Sequence, residues 1–140
     1  MIKIKKLSED AISPRYAHTD DAGMDFFSNE TVILQPKERK LISTGIAMAI
    51  PAGYVGLIWD KSGIASKHGI KTMAGVIDAG YRGEIKILVH NLADQPYTFE
   101  KGTKVAQMLI QPVEQRQIME VEKFEETLRG EGGFGSTGIR

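Results

Sequence analysis

The sequence contains no cysteine, and its 18 acidic residues balance its 18 basic residues. The absence of cysteine excludes disulfide scaffolds and thiolate zinc sites, and it is compatible with a reducing compartment. A net charge of zero excludes the broad basic field that is typical of nucleic-acid-binding proteins. The N-terminal residues MIKIKKL do not open an apolar stretch of signal-peptide length. We therefore expect a cytoplasmic protein that does not bind nucleic acid.

Long hydrophobic runs are scarce, with one exception. No residue from Leu41 to Trp59 is charged, and this length would allow a membrane span. However, Pro51-Ala-Gly53 interrupts the stretch and predicts a turn between two apolar strands. We therefore predict a soluble β-hairpin here and no association with a membrane.

Helical periodicity is also scarce, whereas short apolar or alternating runs are frequent. The predicted strands are 2–5, 31–34, 41–50, 54–59, 84–90, 97–99, 104–113 and 117–121. Many short strands between turn residues indicate an all-β sandwich, barrel or jelly roll. One short helix is predicted at 63–68 with Gly69 as its C-cap. A length of 140 residues predicts one domain, and only the tail from about Glu125 onward has the composition of a linker.

The C-terminal tail contains the glycine-rich stretch RGEGGFGSTG at 129–138. It matches the spacing of a dinucleotide fingerprint, but too few residues follow for the helix that this motif must open. A disordered terminus is one interpretation. A lid over a nucleotide is the other, because arginine and hydroxyl groups bind phosphate and an aromatic ring stacks on a base. The residues that carry this second interpretation are Arg129, Phe134, Ser136 and Thr137.

Two internal stretches carry further candidate groups. DKSGIA at 60–65 places a lysine and a serine at the start of the predicted helix, where free N–H groups attract phosphate. The alternative is a simple N-cap by Ser62 or Asp60. GVIDAGYRGE at 75–84 places Asp78 at the tip of a hairpin, either as a general base or as an ordinary turn residue.

Two strand-like stretches place polar groups among apolar ones. In DAGMDFFS at 21–28, alternation predicts that Met24 and Phe26 are buried and that Asp25 and Phe27 lie on the other face. In GTKVAQMLI at 102–110, Gln107 lies on the face opposite to Ala106 and Met108. A glutamine in an apolar strand needs a polar partner. The three histidines are scattered without metal-ligand spacing.

Taken together, these five stretches resemble the five motifs of the homotrimeric dUTPase family, in the family's order. The resemblance spans nearly the whole chain, and its third motif (75–84) and fifth motif (129–138) are the most specific. It implies hydrolysis of dUTP to dUMP and pyrophosphate with Mg²⁺. That activity keeps uracil out of DNA and supplies dUMP for thymidylate synthesis.

The resemblance also implies an architecture. We expect a jelly-roll-like distorted β-barrel with one short helix over residues 1–124, and a flexible glycine-rich arm over residues 125–140. Members of the family form homotrimers whose active sites are shared among subunits. The arm is expected to close over the site of a neighbouring subunit, so its glycines would allow it to order over substrate and then release it.

Roles for individual residues follow from the same resemblance. Asp78 resembles the base that activates the attacking water, and Tyr81 resembles the ring that packs under the deoxyribose and excludes a 2′-hydroxyl. The hairpin at about 72–75 is expected to bind the uracil edge through backbone groups such as those of Gly75. Asp25 is expected to support the cation of the second motif or the waters of a magnesium ion held mainly by the triphosphate. The residues implied to contact the phosphates or cover the uracil are Lys61, Ser62, Gly63, Gln107, Arg129, Phe134, Gly135, Ser136 and Thr137.

The chain departs from the family pattern at three places. Lys61 stands where arginine is usual, which keeps the charge but loses the bidentate fork. Met24 stands where an aromatic residue is common. Around Thr72 and Met73 there is no amide side chain of the kind that often contacts uracil in bacterial members.

Other functions were weighed against dUTP hydrolysis. The related dCTP deaminases carry a catalytic glutamate where this chain has Leu88, which argues against a deaminase or a bifunctional enzyme. Intact Asp78 and Tyr81 and a complete tail argue against a non-enzymatic jelly-roll binding module. The sequence does not distinguish the enzyme from a regulatory member of the family that binds dUTP and a protein partner.

Overall fold

The computed structural model describes residues 1–134, 136 and 137. It contains ten strands and one helix within these residues. The elements are β1 (Lys3–Lys6), β2 (Met24–Phe27), β3 (Val32–Leu34), β4 (Arg39–Ala49), β5 (Tyr54–Asp60), α1 (Ser62–His68), β6 (Ile70–Met73), β7 (Val76–Ile77), β8 (Glu84–Asn91), β9 (Tyr97–Phe99) and β10 (Lys104–Pro112). The prediction of an all-β fold with one short helix is confirmed.

The strands form two four-stranded sheets and a two-stranded ribbon, and all pairings are antiparallel. One sheet has the order β1-β4-β8-β6, the other has the order β2-β10-β5-β7, and β3 pairs with β9. The chain passes repeatedly from one sheet to the other, as in a jelly roll. Among the described residues the sheets stay separate and do not close into the predicted barrel.

A single hydrophobic core lies between the two large sheets. In β8 the alternate residues Ile85, Ile87 and Val89 are buried, as the two-residue period of a strand requires. They belong to one cluster with Phe26 of β2 and Met108 of β10. The buried side chains of β8 therefore face the opposite sheet, and their packing holds the two layers together.

The predicted hairpin between 41–50 and 54–59 is wrong in its pairing, although both strands exist. β4 pairs with β1 and β8, whereas β5 pairs with β10 and β7. The turn at Pro51–Gly53, in which the Tyr54 N–H donates to the Pro51 carbonyl, carries the chain from one sheet to the other. Within the described residues no helix combines the length and apolar character needed to cross a membrane.

Two other predictions differ from the structure. All four residues of β2 are buried, so Asp25 and Phe27 do not lie on an exposed face. The reason is that β2 is covered on both sides. Residues 117–121 form no strand with the described part of the chain, and Ile118 is 96% exposed. The alternation there finds no partner within one chain.

The single helix lies where the sequence predicts it, extended by one residue at its start. Gly69 ends α1 in the left-handed conformation, with φ 65°, and its N–H donates to the Ala65 carbonyl at 3.0 Å. Glycine adopts this conformation without the steric cost of a Cβ atom. Lys61 is the N-cap residue, and its side chain makes no capping hydrogen bond. Neither Asp60 nor Ser62 is therefore the cap.

Candidate active site

A cavity of about 580 Å³ lies beside the start of α1. We call it the turn cavity. It brings together three of the residues that the sequence singled out, Lys61, Ser62 and Gln107. Gly63 lies next to them, and a methyl group added to its Cα would meet no other atom within 4 Å. Open space, a lysine and a hydroxyl at the first turn of a helix suit an anionic ligand. The other residues that line the turn cavity are Asp21, Ala22, Gly23, Trp59, Asp60, Ala65 and Leu109.

A buried carboxylate lies behind Lys61. The Asp25 side chain receives the Lys61 ammonium at 2.6 Å on one oxygen and the Lys104 ammonium at 2.7 Å on the other. Burial raises the pKa of the Asp25 carboxyl, but the hydrogen bonds from Lys104 and Lys61 outweigh burial and hold the pKa below its usual value. Asp25 therefore stays ionised and positions both lysines.

Asp60 connects the turn cavity to the neighbouring strand β6. One Asp60 carboxylate oxygen accepts from the Thr72 N–H at 2.6 Å and from the Thr72 hydroxyl at 2.7 Å. The other oxygen lies 2.9 Å from the Lys71 ammonium. Burial raises the pKa of Asp60, but the hydrogen bonds from Lys71 and Thr72 bring it below its usual value. An ionised Asp60 thus fixes the turn before α1 against β6.

Gln107 finds the partner that its place in an apolar strand requires. Its Nε2 donates to the Asp60 carbonyl at 2.9 Å. A Cβ atom on Gly23 would collide with the Gln107 side chain, so glycine at 23 allows the two strands to approach. The face of β10 predicted for Gln107 is confirmed, because Ala106 and Met108 are buried on the other side.

A second cavity, of about 530 Å³, lies beside the loop between β7 and β8. We call it the hairpin cavity. Asp78 and Tyr81 both line it, and the Tyr81 N–H donates to the Asp78 carbonyl at 3.0 Å. The Tyr81 hydroxyl donates to the Glu84 carbonyl at 2.8 Å. The Asp78 carboxylate is exposed and makes no hydrogen bond with any described residue, so its oxygens can accept from a water. The other residues that line the hairpin cavity are Leu41, Val76, Ile77, Glu84, Ile85 and Lys86.

Gly75 lies in the connection between β6 and β7. Its φ is 101°, and a Cβ atom there would lie 3.0 Å from the Ile58 carbonyl oxygen. Its own carbonyl accepts from the Ile58 N–H at 2.8 Å. Only glycine fits this backbone conformation at this close approach, and it leaves the 72–75 hairpin directly against β5.

The C-terminal tail lies apart from both cavities. Arg129, Phe134, Ser136 and Thr137 line neither of them, and Gly135 lies outside the described residues. The Arg129 Nε donates to the Gly132 carbonyl at 2.8 Å, and the Phe134 ring is fully exposed. Within one chain, the described tail residues therefore do not line the cavities of Asp78 and Lys61.

The two cavities share no lining residue, and a smaller cavity beside the 72–75 connection shares Trp59 with the turn cavity and Val76 with the hairpin cavity. The structure thus places the candidate phosphate-binding residues in one place and the candidate base and sugar-packing residues in another. Within one chain the described residues form two partial sites.

The sequence assigned no role to Lys104 or Glu84, and it indicated Asp60 only as a cap. Lys104 binds Asp25, while the Glu84 carboxylate accepts from the Ser43 hydroxyl and the Gly45 N–H. These contacts join residues that are distant in sequence. Their acidic or basic character was visible in the motifs, but their partners were not.

Comparison with known proteins places the chain in a family. The dUTPase family model matches residues 9–138. The deoxyuridine 5′-triphosphate nucleotidohydrolase of Clostridium kluyveri is 50% identical over 137 residues, which cover 96% of each protein. The corresponding protein of Clostridium tetani is 48% identical over 139 residues, covering 98% of this chain and 96% of the relative.

Solved structures agree with the sequence relatives. The dUTPase of Staphylococcus bacteriophage 80alpha with dUPNHPP has a TM-score of 0.93 and 37% identity, with 99% of each chain covered. A mutant dUTPase of phage phi11 of S. aureus, described with a structural Mg(II) ion, has a TM-score of 0.84 and 35% identity, covering 90% of this chain and 99% of that chain. This chain therefore belongs to the dUTPase family.

Proposed function

We propose that this protein hydrolyses dUTP to dUMP and pyrophosphate. The observation that carries the proposal is the joint placement of Asp78 and Tyr81 on one cavity, in a chain that aligns over nearly its full length with dUTP nucleotidohydrolases. The activity removes dUTP before it can enter DNA, and it yields dUMP for thymidylate synthesis.

Asp78 is the proposed general base. Its unoccupied carboxylate oxygens accept a proton from a water, whose oxygen then bonds to the α-phosphorus. The bond from the α-phosphorus to the pyrophosphate oxygen breaks as the new bond forms. Beyond this proton transfer, positioning and charge stabilisation account for most of the rate in reactions of this kind.

The turn cavity is the proposed phosphate site. Lys61, Ser62 and Gly63 would contact the phosphates directly, with Asp25 fixing the direction of the lysine. Gln107 would contribute from β10, either directly or by holding the Asp60 carbonyl in place. From the arm, Arg129, Ser136 and Thr137 would clamp the γ-phosphate, Phe134 would cover the uracil, and Gly135 would also contact the substrate.

Magnesium is proposed to arrive with the triphosphate. No group of three or more histidine or acidic residues that could hold a metal lies within the described residues, and Asp25 is already engaged by two lysines. Mg²⁺ keeps several waters and is commonly held by substrate phosphates with few protein ligands. When bound, the ion would neutralise charge on the phosphates. Of the two roles expected for Asp25, the one proposed here is support of Lys61, the cation of the second motif, because both of its oxygens already accept from lysines.

We further propose a homotrimer in which different subunits supply the parts of each active site. The distribution of the candidate groups over two cavities that share no lining residue supports this, because one nucleotide must contact both sets of groups. Residues 1–124 would form the β-domain, and residues 125–140 would form the arm that covers a neighbour's site. A cytoplasmic location is proposed on the absence of cysteine, which suits a reducing compartment.

The first experiment is to incubate the protein and Mg²⁺ with dUTP, dCTP, dTTP and UTP in turn, and to follow pyrophosphate and base identity. We expect pyrophosphate and dUMP from dUTP alone. Asp78→Asn should lower kcat for dUTP by roughly 10²–10⁴-fold without a comparable change in KM. Formation of a uracil nucleotide from dCTP would instead indicate a deaminase. Leu88 of β8, which pairs with Leu41 of β4, stands where deaminases carry their catalytic glutamate, so this outcome is not expected. Binding of dUTP without turnover would indicate a sensor.

A further inference from the structure

Gly83 lies directly against the ring of Tyr81. A Cβ atom built on Gly83 would lie 2.5 Å from the Tyr81 hydroxyl oxygen, 2.7 Å from Cζ and 3.0 Å from Cε2. These distances are shorter than side chains tolerate, so the tyrosine ring occupies the volume in which any larger residue at 83 would place its side chain.

The backbone does not require glycine at this position. The glycines with positive φ are 45, 53, 69, 75, 102 and 130 among the described residues, and Gly83 is not one of them. An alanine at 83 would therefore carry no left-handed strain. Contact with Tyr81 is the constraint that remains on residue 83.

The same hydroxyl end of the ring is held by Glu84. The Tyr81 hydroxyl donates to the Glu84 carbonyl at 2.8 Å. The Glu84 carboxylate in turn accepts from the Gly45 N–H at 3.0 Å and from the Ser43 hydroxyl. These contacts anchor residue 84 to β4, so the hydroxyl has a fixed acceptor. The position of the Tyr81 ring is thus fixed by its hydrogen bond to the Glu84 carbonyl and by the absence of a side chain at Gly83.

We infer that Gly83 is a specificity-determining residue that acts by positioning Tyr81 for discrimination between deoxyribose and ribose. The inference rests on the proposed function, in which the Tyr81 ring packs under the sugar. A ring held against the Gly83 backbone has one position relative to the hairpin cavity. That position decides whether a 2′-hydroxyl can be accommodated.

Gly83→Ala should move the ring and leave the fold intact. The colliding atoms are the far end of the Tyr81 side chain, which is 45% exposed, so the ring can yield without moving the backbone. The hydroxyl would then leave the Glu84 carbonyl. A ring displaced outward no longer excludes a 2′-hydroxyl. A ring displaced into the cavity takes the volume of the deoxyribose and lowers dUTP turnover, while UTP turnover is already low.

The test is the ratio of kcat/KM for dUTP to kcat/KM for UTP. Gly83→Ala should lower this ratio by about tenfold or more, the size of discrimination that a single apolar contact supplies. Gly80→Ala is the matched control, because it adds the same methyl group in the same loop where no atom lies within 4 Å. Its ratio should stay within about twofold of the wild type, as for most substitutions in open space. A loss of folded protein lowers both rates together and leaves the ratio unchanged.

A double-mutant cycle then tests whether Gly83 acts through the ring. In a Tyr81→Ala background there is no ring to displace, so adding Gly83→Ala should not change the ratio further. An unchanged ratio in Gly83→Ala alone would overturn the inference, as would an equal effect with and without the Tyr81 ring. Failure of Gly83→Ala to fold would also overturn it, since the ring is expected to yield. If the wild type releases no pyrophosphate from dUTP, the proposed function itself fails.

A second readout does not depend on activity. With tyrosine rings labelled by ¹³C, the NMR signal of Tyr81 can be assigned by its loss in Tyr81→Phe. The signal should shift in Gly83→Ala and stay in place in Gly80→Ala. A Tyr81 signal that is the same in both variants would overturn the inference.

Discussion

At the scale of single residues, glycines in the candidate site serve opposite purposes. Gly75 has a positive φ and contacts the Ile58 backbone, so its backbone conformation and packing require glycine. At Gly63 a methyl group would enter open space without positive φ. Nothing in the folded chain therefore requires glycine at 63, and the space beside it is available to a ligand.

Gly63→Ala should separate stability from activity. Replacing a helical glycine by alanine raises the free energy of unfolding by up to about 1 kcal/mol. If phosphate occupies the space at Gly63, kcat/KM for dUTP should fall by roughly tenfold to a hundredfold, as for an ångström-scale misplacement. Urea unfolding and steady-state kinetics measure the two effects.

Ser66→Ala, on the exposed side of the same helix, is the control for helix propensity and should leave kcat/KM unchanged. If Gly63→Ala also leaves kcat/KM unchanged, the substrate does not use this space.

Asp25 should make stability depend on pH in the acid range. Its pKa is lowered in the folded state, so its contribution is complete above the unfolded pKa of about 3.9 and is lost as pH falls through the folded pKa. Asp25→Asn should lower the free energy of unfolding by about 1–3 kcal/mol at pH 7, because a buried charged partner is lost.

The difference between wild type and Asp25→Asn should shrink below about pH 4, as urea unfolding at pH 7 and pH 3 would show. A difference that stays constant with pH would contradict the role of ionised Asp25. Glu114→Gln serves as a surface control, since its exposed pair with Arg116 should contribute little.

At the scale of secondary-structure elements, the end of β5 is tied to one strand of its own sheet and to one strand of the other sheet. The Asp60 carboxylate binds Thr72 of β6, and the Asp60 carbonyl accepts from Gln107 of β10. β5 and β6 belong to different sheets, so this carboxylate joins the two layers beside the turn cavity. The hairpin at 72–75 and the start of α1 therefore depend on one residue for their relative position.

Asp60→Ala should increase hydrogen exchange of the Thr72 amide more than that of the Ile87 amide in central strand β8. The Thr72 N–H loses a charged acceptor worth about 1–3 kcal/mol, so its exchange should accelerate by roughly tenfold or more if it exchanges by local opening. Asp60→Asn keeps an oxygen acceptor and should show a smaller change. Equal acceleration at both amides would point to global destabilisation instead.

At the scale of the whole molecule, one chain leaves its functional groups dispersed. The two cavities share no residue, and the described tail residues reach neither. In the segment after β10, the apolar side chains of Ile118 and Phe124 are more than 90% exposed. Burial of these side chains would be favourable, and in the proposed trimer a neighbouring subunit would provide it.

Mixing two inactive variants should restore activity if the sites are shared. One variant is full-length Asp78→Asn, and the other ends at residue 124 with Asp78 intact. When both are unfolded and refolded together at equal amounts, about one quarter of the sites should combine an intact Asp78 with an arm from another subunit. Pyrophosphate release from dUTP is the measurement.

Refolding each variant alone is the control, and neither should regain activity. A mixture that stays inactive, although sedimentation shows mixed trimers, would mean that the arm and Asp78 must come from the same chain.

The sequence was sufficient wherever the determining contacts are local. Gly69 ends the helix because of its own backbone freedom, and the alternation of β8 identifies its buried face. The pairing of β4 was not predictable, since an apolar strand followed by a turn is equally consistent with a hairpin and with a crossing between sheets. The predicted strand at 117–121 failed for a related reason, because alternation indicates burial without naming the partner.

The sequence by itself determined the class of fold, the five motifs and the residue types in the candidate site, because these depend on short-range patterns and side-chain chemistry. Only the tertiary structure decided that Asp25 is buried between Lys61 and Lys104, that Asp60 holds Thr72 instead of capping α1, and that Gly83 yields its space to Tyr81. The first two are contacts between residues far apart in the chain, and the third depends on how one loop packs. Their formation depends on the packing of both sheets, which no local pattern specifies.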